Sequence, residues 1–323
     1  MTMIRVQRKQ AGIALLVAGC SLIALSHGET QAQGNRFQAT NVCEQTATEL
    51  AKACKFEVQD SAKVAAASCL NLLDPRAAAD CKLAMNAART EGNKQCAVVE
   101  DAREDICDRL GGGAYDPVID PANFVAGINN RYTPFPIGAF RVYEKQTPEG
   151  LERIRIEVLP ETRQIMGVTM TTVRDVVTLN GVVIEDTLDW LAQDVQGNVW
   201  YFGELVRNFE GGILRDLNGS FEAGRNGDKA GLWSTAFPQV GDFYRQEWSL
   251  GNAEDVVEVI SLDARDEIVP FSSRGTGPVL KVKATLPFSP VVELKYYVPG
   301  IGFALQVKPA SGERTELVDY GPR

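Results

Sequence analysis

Six cysteines between residues 43 and 107 share one midpoint, and this symmetry limits the fold more than any other feature of the chain. Cys43 and Cys107, Cys54 and Cys96, and Cys69 and Cys81 are all centred on Pro75. Cys43 to Cys54 and Cys96 to Cys107 are eleven residues apart. On a helix that is roughly 16 Å along the axis, too far for a disulfide, whose Cα atoms lie within about 7 Å. Eleven residues do return a side chain to nearly the same helical face. The longer steps, Cys54 to Cys69 and Cys81 to Cys96, return it within about 60°. Two helices thus each carry one stripe of cysteines, and antiparallel pairing of the stripes gives nested rungs: Cys43–Cys107, Cys54–Cys96 and Cys69–Cys81.

The residues between the cysteines suit helices. No proline or glycine occurs from Ala39 to Asp74, and Ala47, Leu50, Val58, Ala62, Ala65 and Leu73 fall on or beside the stripe, an amphipathic seam of mainly small residues. Pro75 pushes Asp74 out of the helical region and marks the turn. A second run from Arg76 to Leu110 carries Ala77, Ala84, Ala88 and Val99, with Gly92 as its weak point. Six cysteines allow fifteen connectivities, so the nested ladder competes with a compact four-helix domain broken near 55–59 and at Gly92-Asn93. Zinc is the other use of such a set, but CxxC spacing is absent and no histidine lies nearby. Disulfides in either arrangement need an oxidising compartment.

The N-terminus points to export as well. Arg5, Arg8 and Lys9 precede the apolar run Ala11 to Leu25, which is short for a membrane span and reads, over residues 1–32, as a signal peptide. Leu16-Val17-Ala18-Gly19-Cys20 resembles a lipobox, which makes Cys20 a lipidation candidate. The apolar continuation Ser21 to Leu25 favours instead ordinary cleavage after Ser26 or Ala32. Both readings place the mature protein in the periplasm, the outer envelope or the extracellular space. Without residues 1–32 the chain has 30 basic residues against 41 acidic ones, a formal charge of −11. Such a chain is unsuited to nucleic acid, and reaches a membrane only through a lipid anchor. The single histidine, His27, falls in the export segment, so the mature chain has no Ser-His or Cys-His pair and no ordinary histidine-ligated metal site.

Three parts follow the leader: a stapled hairpin over 38–110, a linker over 111–138 and a β domain over 139–320. The linker is rich in Gly, Pro, Asp and Asn, yet its Tyr115, Phe124, Tyr132 and Phe135 are too apolar for a free tether. Beyond it, strands are expected over 139–145, 151–159, 163–179, 182–194, 199–209, 213–223, 241–249, 255–262, 279–286, 291–298 and 303–308. Turns come from Asn180-Gly181, Gln196-Gly197-Asn198, Gly211-Gly212 and Pro299-Gly300. The expected fold class is α+β: a disulfide-stapled antiparallel helical hairpin followed by an antiparallel β meander that forms a barrel or half-barrel.

Paired residue numbers in a hairpin have a constant sum. A tight Asn180-Gly181 turn sets that sum so that Asp189 faces Thr172, with Arg174 diagonal. The turn over 195–198 sets Asp189 against Glu204, and Gly211-Gly212 sets Arg207 against Asp216. Glu185, Thr187, Gln193 and Trp200 extend the Asp189 face, while the opposite face carries Asp175, Asp186, Arg207 and Asp216, with Trp190 over Gly203. Facing carboxylates are unfavourable unless offset. Three offsets are available: an arginine bridge, calcium shared by Asp189, Glu204 and the amides of Gln193 or Asn198, or a shared proton that suits Asp189 and Glu204 to general acid/base hydrolysis. Arg174, Glu185, Asp189, Gln193, Trp200 and Glu204 are the ligand-binding candidates.

Phe243-Tyr244-Arg245-Gln246-Glu247-Trp248 and Glu293-Leu294-Lys295-Tyr296-Tyr297 read as half-exposed strands with cross-strand ion pairs. Gly231-Leu232-Trp233 matches the lipocalin Gly-x-Trp but sits midway through the meander instead of in its first strand. No phosphate loop, dinucleotide fingerprint or nucleophile elbow occurs.

The stretches YDPVIDPANF (115–124), DTLDWLAQD (186–194) and GNVWYFGE (197–204) resemble a family of exported bacterial proteins of uncharacterised function. The likeness covers residues 115–305 and implies no reaction and no functional residues. The curled antiparallel sheet is also similar to periplasmic lipoprotein carriers that hold acyl chains, a likeness of fold alone. The leading expectation is a non-enzymatic exported or cell-envelope protein, without cofactor, whose β domain binds a small amphipathic ligand or a protein partner. The alternatives are a carboxylate hydrolase built on Asp189 and Glu204, and a calcium-stabilised interaction module.

Overall fold

The computed structural model describes residues 41–322, so the expected leader over 1–32, Cys20 and His27 lie outside the described residues. Two helices come first, α1 (Val42–Leu70) and α2 (Pro75–Leu110). The side chain of Asn41 accepts from the Glu44 amide at 3.1 Å, and that of Asp74 accepts from the Arg76 amide at 3.0 Å with Pro75 in the first turn. These caps satisfy amides that a helix start leaves free. All three nested disulfides form, with Cα–Cα separations of 5.6, 5.7 and 5.5 Å for Cys43–Cys107, Cys54–Cys96 and Cys69–Cys81. The four-helix alternative is excluded, because α2 runs unbroken through Gly92. A Cβ there would sit 2.9 Å from a Val58 methyl, so the glycine lets the helices approach where a break was expected.

Among the described residues fifteen strands form one antiparallel sheet. They are β1 (Phe124–Val125), β2 (Ala139–Thr147), β3 (Gly150–Ile165), β4 (Val168–Leu179), β5 (Val182–Asp194), β6 (Val199–Glu210), β7 (Ile213–Asp216), β8 (Phe221–Glu222), β9 (Gly231–Ser234), β10 (Phe243–Arg245), β11 (Val256–Ser261), β12 (Leu280–Leu286), β13 (Ser289–Val298), β14 (Gly302–Lys308) and β15 (Glu313–Pro322). The order is β10-β11-β12-β13-β14-β15-β2-β3-β4-β5-β6-β7, with β1 on β5 and β8 and β9 on β6. The sheet is not closed by strand pairing, so it is no full barrel. β15 was not anticipated. It seats the chain's end between β14 and β2, with Leu317 buried.

Two turns and several bulges depart from expectation. The run 163–179 divides at Met166 and Gly167, both at positive φ (50° and 80°), the geometry of a two-residue hairpin turn. The 213–223 segment likewise divides into β7 and β8. Pro160 falls where the β3–β4 register shifts between Val158 and Thr162, consistent with proline's exclusion from a regular ladder. Gly203 is required where β8 crosses β6: its φ is 136°, and a Cβ would lie 2.2 Å from the Phe221 carbonyl oxygen.

The 111–138 segment is packed rather than free. Ile119 and Phe124 join Trp190, Phe202 and Met170 on one face of the sheet. Ile128 and Phe135 join Val173, Leu191 and Tyr201 on the other. The hairpin base docks on the β10–β11 edge. Arg103 of α2 reaches Glu254 through Nε–Oε2 (3.0 Å) and Nη2–Oε1 (2.6 Å), and Arg109 pairs with Glu258 at 2.9 Å and lies 3.6 Å over the Phe243 ring.

Candidate functional site

The chemistry gathers on the face of the sheet that carries Val173 and Leu191. The turn at Asn180-Gly181 pairs Leu179 with Val182, but a bulge between Val177 and Thr178 then advances the register by one. Asp189 consequently faces Val173 rather than Thr172, and Asp175 faces Thr187. Asp175, expected on the far side, thereby joins Asp189. The Asp189–Glu204 and Trp190–Gly203 pairings match expectation. Asp216 pairs with Asn208 instead of Arg207, because a second bulge intervenes between Asn208 and Phe209.

The candidate residues divide accordingly. Glu185, Asp189 and Glu204 share this face, where the Tyr201 hydroxyl donates to Asp189 Oδ1 at 2.6 Å. Arg174 does not join them. It is exposed on the opposite face and makes two bonds to Asp186, Nε–Oδ1 at 2.9 Å and Nη2–Oδ2 at 3.0 Å, with Arg207 3.3 Å from the same carboxylate. Trp200 is also displaced: its Nε1 donates to Asp194 Oδ2 at 2.9 Å. Gln193 clamps the 128–135 segment, its Oε1 accepting from the amides of Asn129 and Asn130 at 2.9 Å each. Asn198 Oδ1 accepts from Ala236. The two amides proposed to complete a calcium site are therefore engaged elsewhere. Among the described residues no group of three or more acidic, cysteine or histidine side chains could hold a metal.

The carboxylates on this face hold protons unusually tightly. Burial pushes Asp189 up to about 7, the Glu185 charge adds to this, and the Tyr201 hydroxyl works against it. Burial and the Asp189 charge raise Glu204 well above the carboxylate range. Asp175 is raised well above its ordinary value by burial and then by Asp189, Glu185, Asp186 and Glu152. Further along, Glu247 and Asp255 are raised, each by burial first. Lys295 loses hydration but keeps its proton more tightly than an exposed lysine, because Glu293 and Asp255 lie near it. Desolvation and like charge act in the same direction on all these acids.

A cleft of about 340 Å³ opens onto one part of this face. β4 contributes Asp175, β3 Ile154 and Ile156, β2 Arg141, Tyr143 and Lys145, and β13 Glu293, Lys295 and Tyr297. Phe135, Trp233 and Phe303 add aromatic wall. Four strands separate β4 from β13, so their sharing one cleft requires the sheet to curl. Arg141, Ile156 and Asp175 form a single cross-strand row, which sets the two charged residues about 10 Å apart at Cα. Asp189 and Glu204 do not line this cleft; Asp189 acts on it through its effect on Asp175. Sequence reasoning missed Asp175, Arg141, Tyr143 and Lys295 as site residues. The one signal was the alternation Glu293-Leu294-Lys295-Tyr296-Tyr297, which turns its charges inward, not outward.

A larger cleft, about 690 Å³, lies at the hairpin base beside Cys43, Tyr115, Arg245 and Trp248. It has no carboxylate in its wall. Burial lowers Arg245 to about 10, opposed by the Glu254 charge, and Lys229 is paired with Asp116 at 2.6 Å.

Fold and site together define a class: an α+β protein of an oxidising compartment, with a triply stapled hairpin docked on a curled, open antiparallel sheet and an acid-flanked aromatic cleft. Compared with protein-family models, curated proteins and solved structures, the chain gives no match to any of them.

Proposed function

We propose that this is an exported binding protein of the cell envelope or extracellular space, which holds a small amphipathic ligand in the 340 Å³ cleft. One observation carries the reading: the cleft joins an apolar wall of Ile154, Ile156, Phe135, Trp233 and Phe303 to a few convergent charged groups. Binding sites for small molecules are built this way, with apolar area supplying affinity and sparse polar groups fixing orientation. The disulfides support export, and residues 1–32 supply the leader this requires. The hairpin, joined to the β10–β11 edge by Arg103 and Arg109, serves as a docking arm. N-phenyl-1-naphthylamine, whose emission rises in apolar sites, tests the reading. The protein should enhance it saturably, and Ile156→Trp, which fills the middle of the cleft, should abolish the enhancement. Equal enhancement by the wild type and Ile156→Trp would refute the assignment of the cleft.

A further inference from the structure

The charged groups of the cleft can be taken one by one, and one carboxyl is left with neither an ion pair nor a full set of hydrogen bonds. Lys145 is 2.6 Å from Glu152, Lys308 is 2.7 Å from Glu313, and Lys295 is 3.3 Å from Glu293, which also accepts from Gln306 at 3.0 Å. Arg141 has no carboxylate partner among the described residues, but its Nε donates to the Ile301 carbonyl at 2.9 Å and its Nη2 to the Pro134 carbonyl at 2.5 Å. Glu313 Oε1 is also buried without a hydrogen bond, but it is ion-paired with Lys308 and Lys145, whereas Asp175 makes no ion pair among the described residues. Its Oδ1 is shut from solvent and has no hydrogen-bond partner. A buried acceptor left unmade is costly, and native structures rarely tolerate one without a reason.

We infer that the cleft takes a ligand bearing a primary ammonium group, which donates to the Asp175 carboxylate while the ligand's apolar part lies on Ile156 and the aromatic wall. This rests on the reading of the cleft as a ligand site. The missing partner must be a donor, because a carboxylate oxygen accepts. A cationic donor suits it best, because the carboxylates nearest Asp175 add negative charge to it and the basic groups of the cleft wall are bonded elsewhere. Glu185 and Asp189 lie on its face of β5, Asp186 on the reverse face and Glu152 on β3, each adding negative charge; Arg141, Tyr143 and Lys145 of β2, Glu293, Lys295 and Tyr297 of β13 and Lys308 of β14 line the same cleft. Of the acids, Asp186 and Glu152 are already bonded to arginine or lysine, so Asp175 is the one placed to receive the ligand. Tyr143, Tyr297 and Phe303 offer ring faces that also favour a cation. A quaternary ammonium would gain the charge and ring contacts but could not supply the missing hydrogen bond.

Burial and the neighbouring carboxylates favour the protonated form of Asp175. Binding replaces its O–H with a charge-assisted N–H···O bond, so each ammonium taken up releases one proton to solvent, and affinity rises with pH.

The test compares 2-phenylethylamine, its N-trimethyl analogue and 2-phenylethanol by calorimetry, in phosphate and in MOPS. The amine should bind at least about 10-fold more tightly than the alcohol, as one charge-assisted bond implies, with a buffer-dependent heat corresponding to release of one proton. Asp175→Asn should bring the amine down to the alcohol's affinity and leave the alcohol unchanged, which also reports an intact cleft. Equal binding of amine and alcohol, equal binding of the primary and quaternary amines, or an unaltered amine affinity in Asp175→Asn would each overturn the ammonium inference while leaving the cleft reading intact. Failure of all three compounds to bind would overturn the ammonium inference, and failure of N-phenyl-1-naphthylamine to bind as well would overturn both.

Discussion

The substitution Glu254→Gln tests how the hairpin is held to the sheet. Arg103 and Glu254 retain only 8% and 1% of their exposure, and they meet through two parallel bonds of 3.0 and 2.6 Å. Glu254 Oε1 also accepts from the Gly251 amide at 2.5 Å, and its charge supports the neighbouring Arg245. Neutralising the carboxylate leaves Arg103 buried with no counter-charge. Breaking one side of a buried pair costs about 3–5 kcal/mol, because the orphaned ion keeps its desolvation penalty. Against a total stability of about 5–15 kcal/mol that is a large fraction. With an m-value near 3 kcal/mol/M, the urea midpoint should fall by about 1–2 M. Replacing both partners by apolar residues, Arg103→Met with Glu254→Leu, removes the orphan and should recover most of the loss. Urea titration followed by far-UV circular dichroism reads both. A midpoint shift under about 0.3 M for Glu254→Gln, or a double variant weaker than the single one, would refute the account.

Three further outcomes follow from the same structure. Asp175, Asp189, Glu204, Glu247 and Asp255 are all raised in the folded state. Their contribution is therefore complete below about pH 4 and is lost as pH rises, through about 7 for Asp189; the melting temperature should fall from pH 5 to pH 8, less steeply in Asp189→Asn, and a rise would contradict the assignment. Reduction should melt the outer part of the hairpin, because apart from its cysteines the seam buries only Ala47, Ala51, Arg103 and Ile106 and each rung is worth about 3 kcal/mol; unchanged ellipticity at 222 nm after reduction would count against this. Asp194→Ala should cost about 2–4 kcal/mol and alter Trp200 fluorescence, since Asp194 accepts from the amides of Gln196 and Asn198 and from the side chains of Asn198 and Trp200; a melting temperature within one degree of wild type would exclude that role.

The legible and illegible parts of the site differ by single residues. Asp189 meets Glu204 as expected only because two departures cancel: beside the 195–198 turn the register is one residue off, with Ala192 on Trp200 and Leu191 on Tyr201, and the extra residue at Phe202 restores it at the Trp190–Gly203 pair. Asp175 could not be read. The bulge between Val177 and Thr178 adds one residue to β5, and one residue is enough to exchange the faces of everything beyond it. Arg174 was lost from the site and Asp175 gained by the same shift. Gln193 and Trp200 occupy the strand end where loop amides and Asp194 capture them, and nothing in their local sequence marks those long-range partners.

The sequence by itself determined the hairpin, since helical geometry and the reach of a disulfide leave little freedom once six cysteines share a midpoint. Its cysteines also point to an oxidising compartment and its patterning to antiparallel strands, both of which depend on local chemistry. Only the tertiary structure decided that the sheet stays open, that β15 inserts beside β2, and that β4 and β13 curl to share a cleft. Those outcomes depend on bulges and on contacts between residues more than a hundred positions apart. Asp175 joins Lys295 in one cleft wall only after every intervening strand has taken its register, and register accumulates along a sheet instead of being set at any one position.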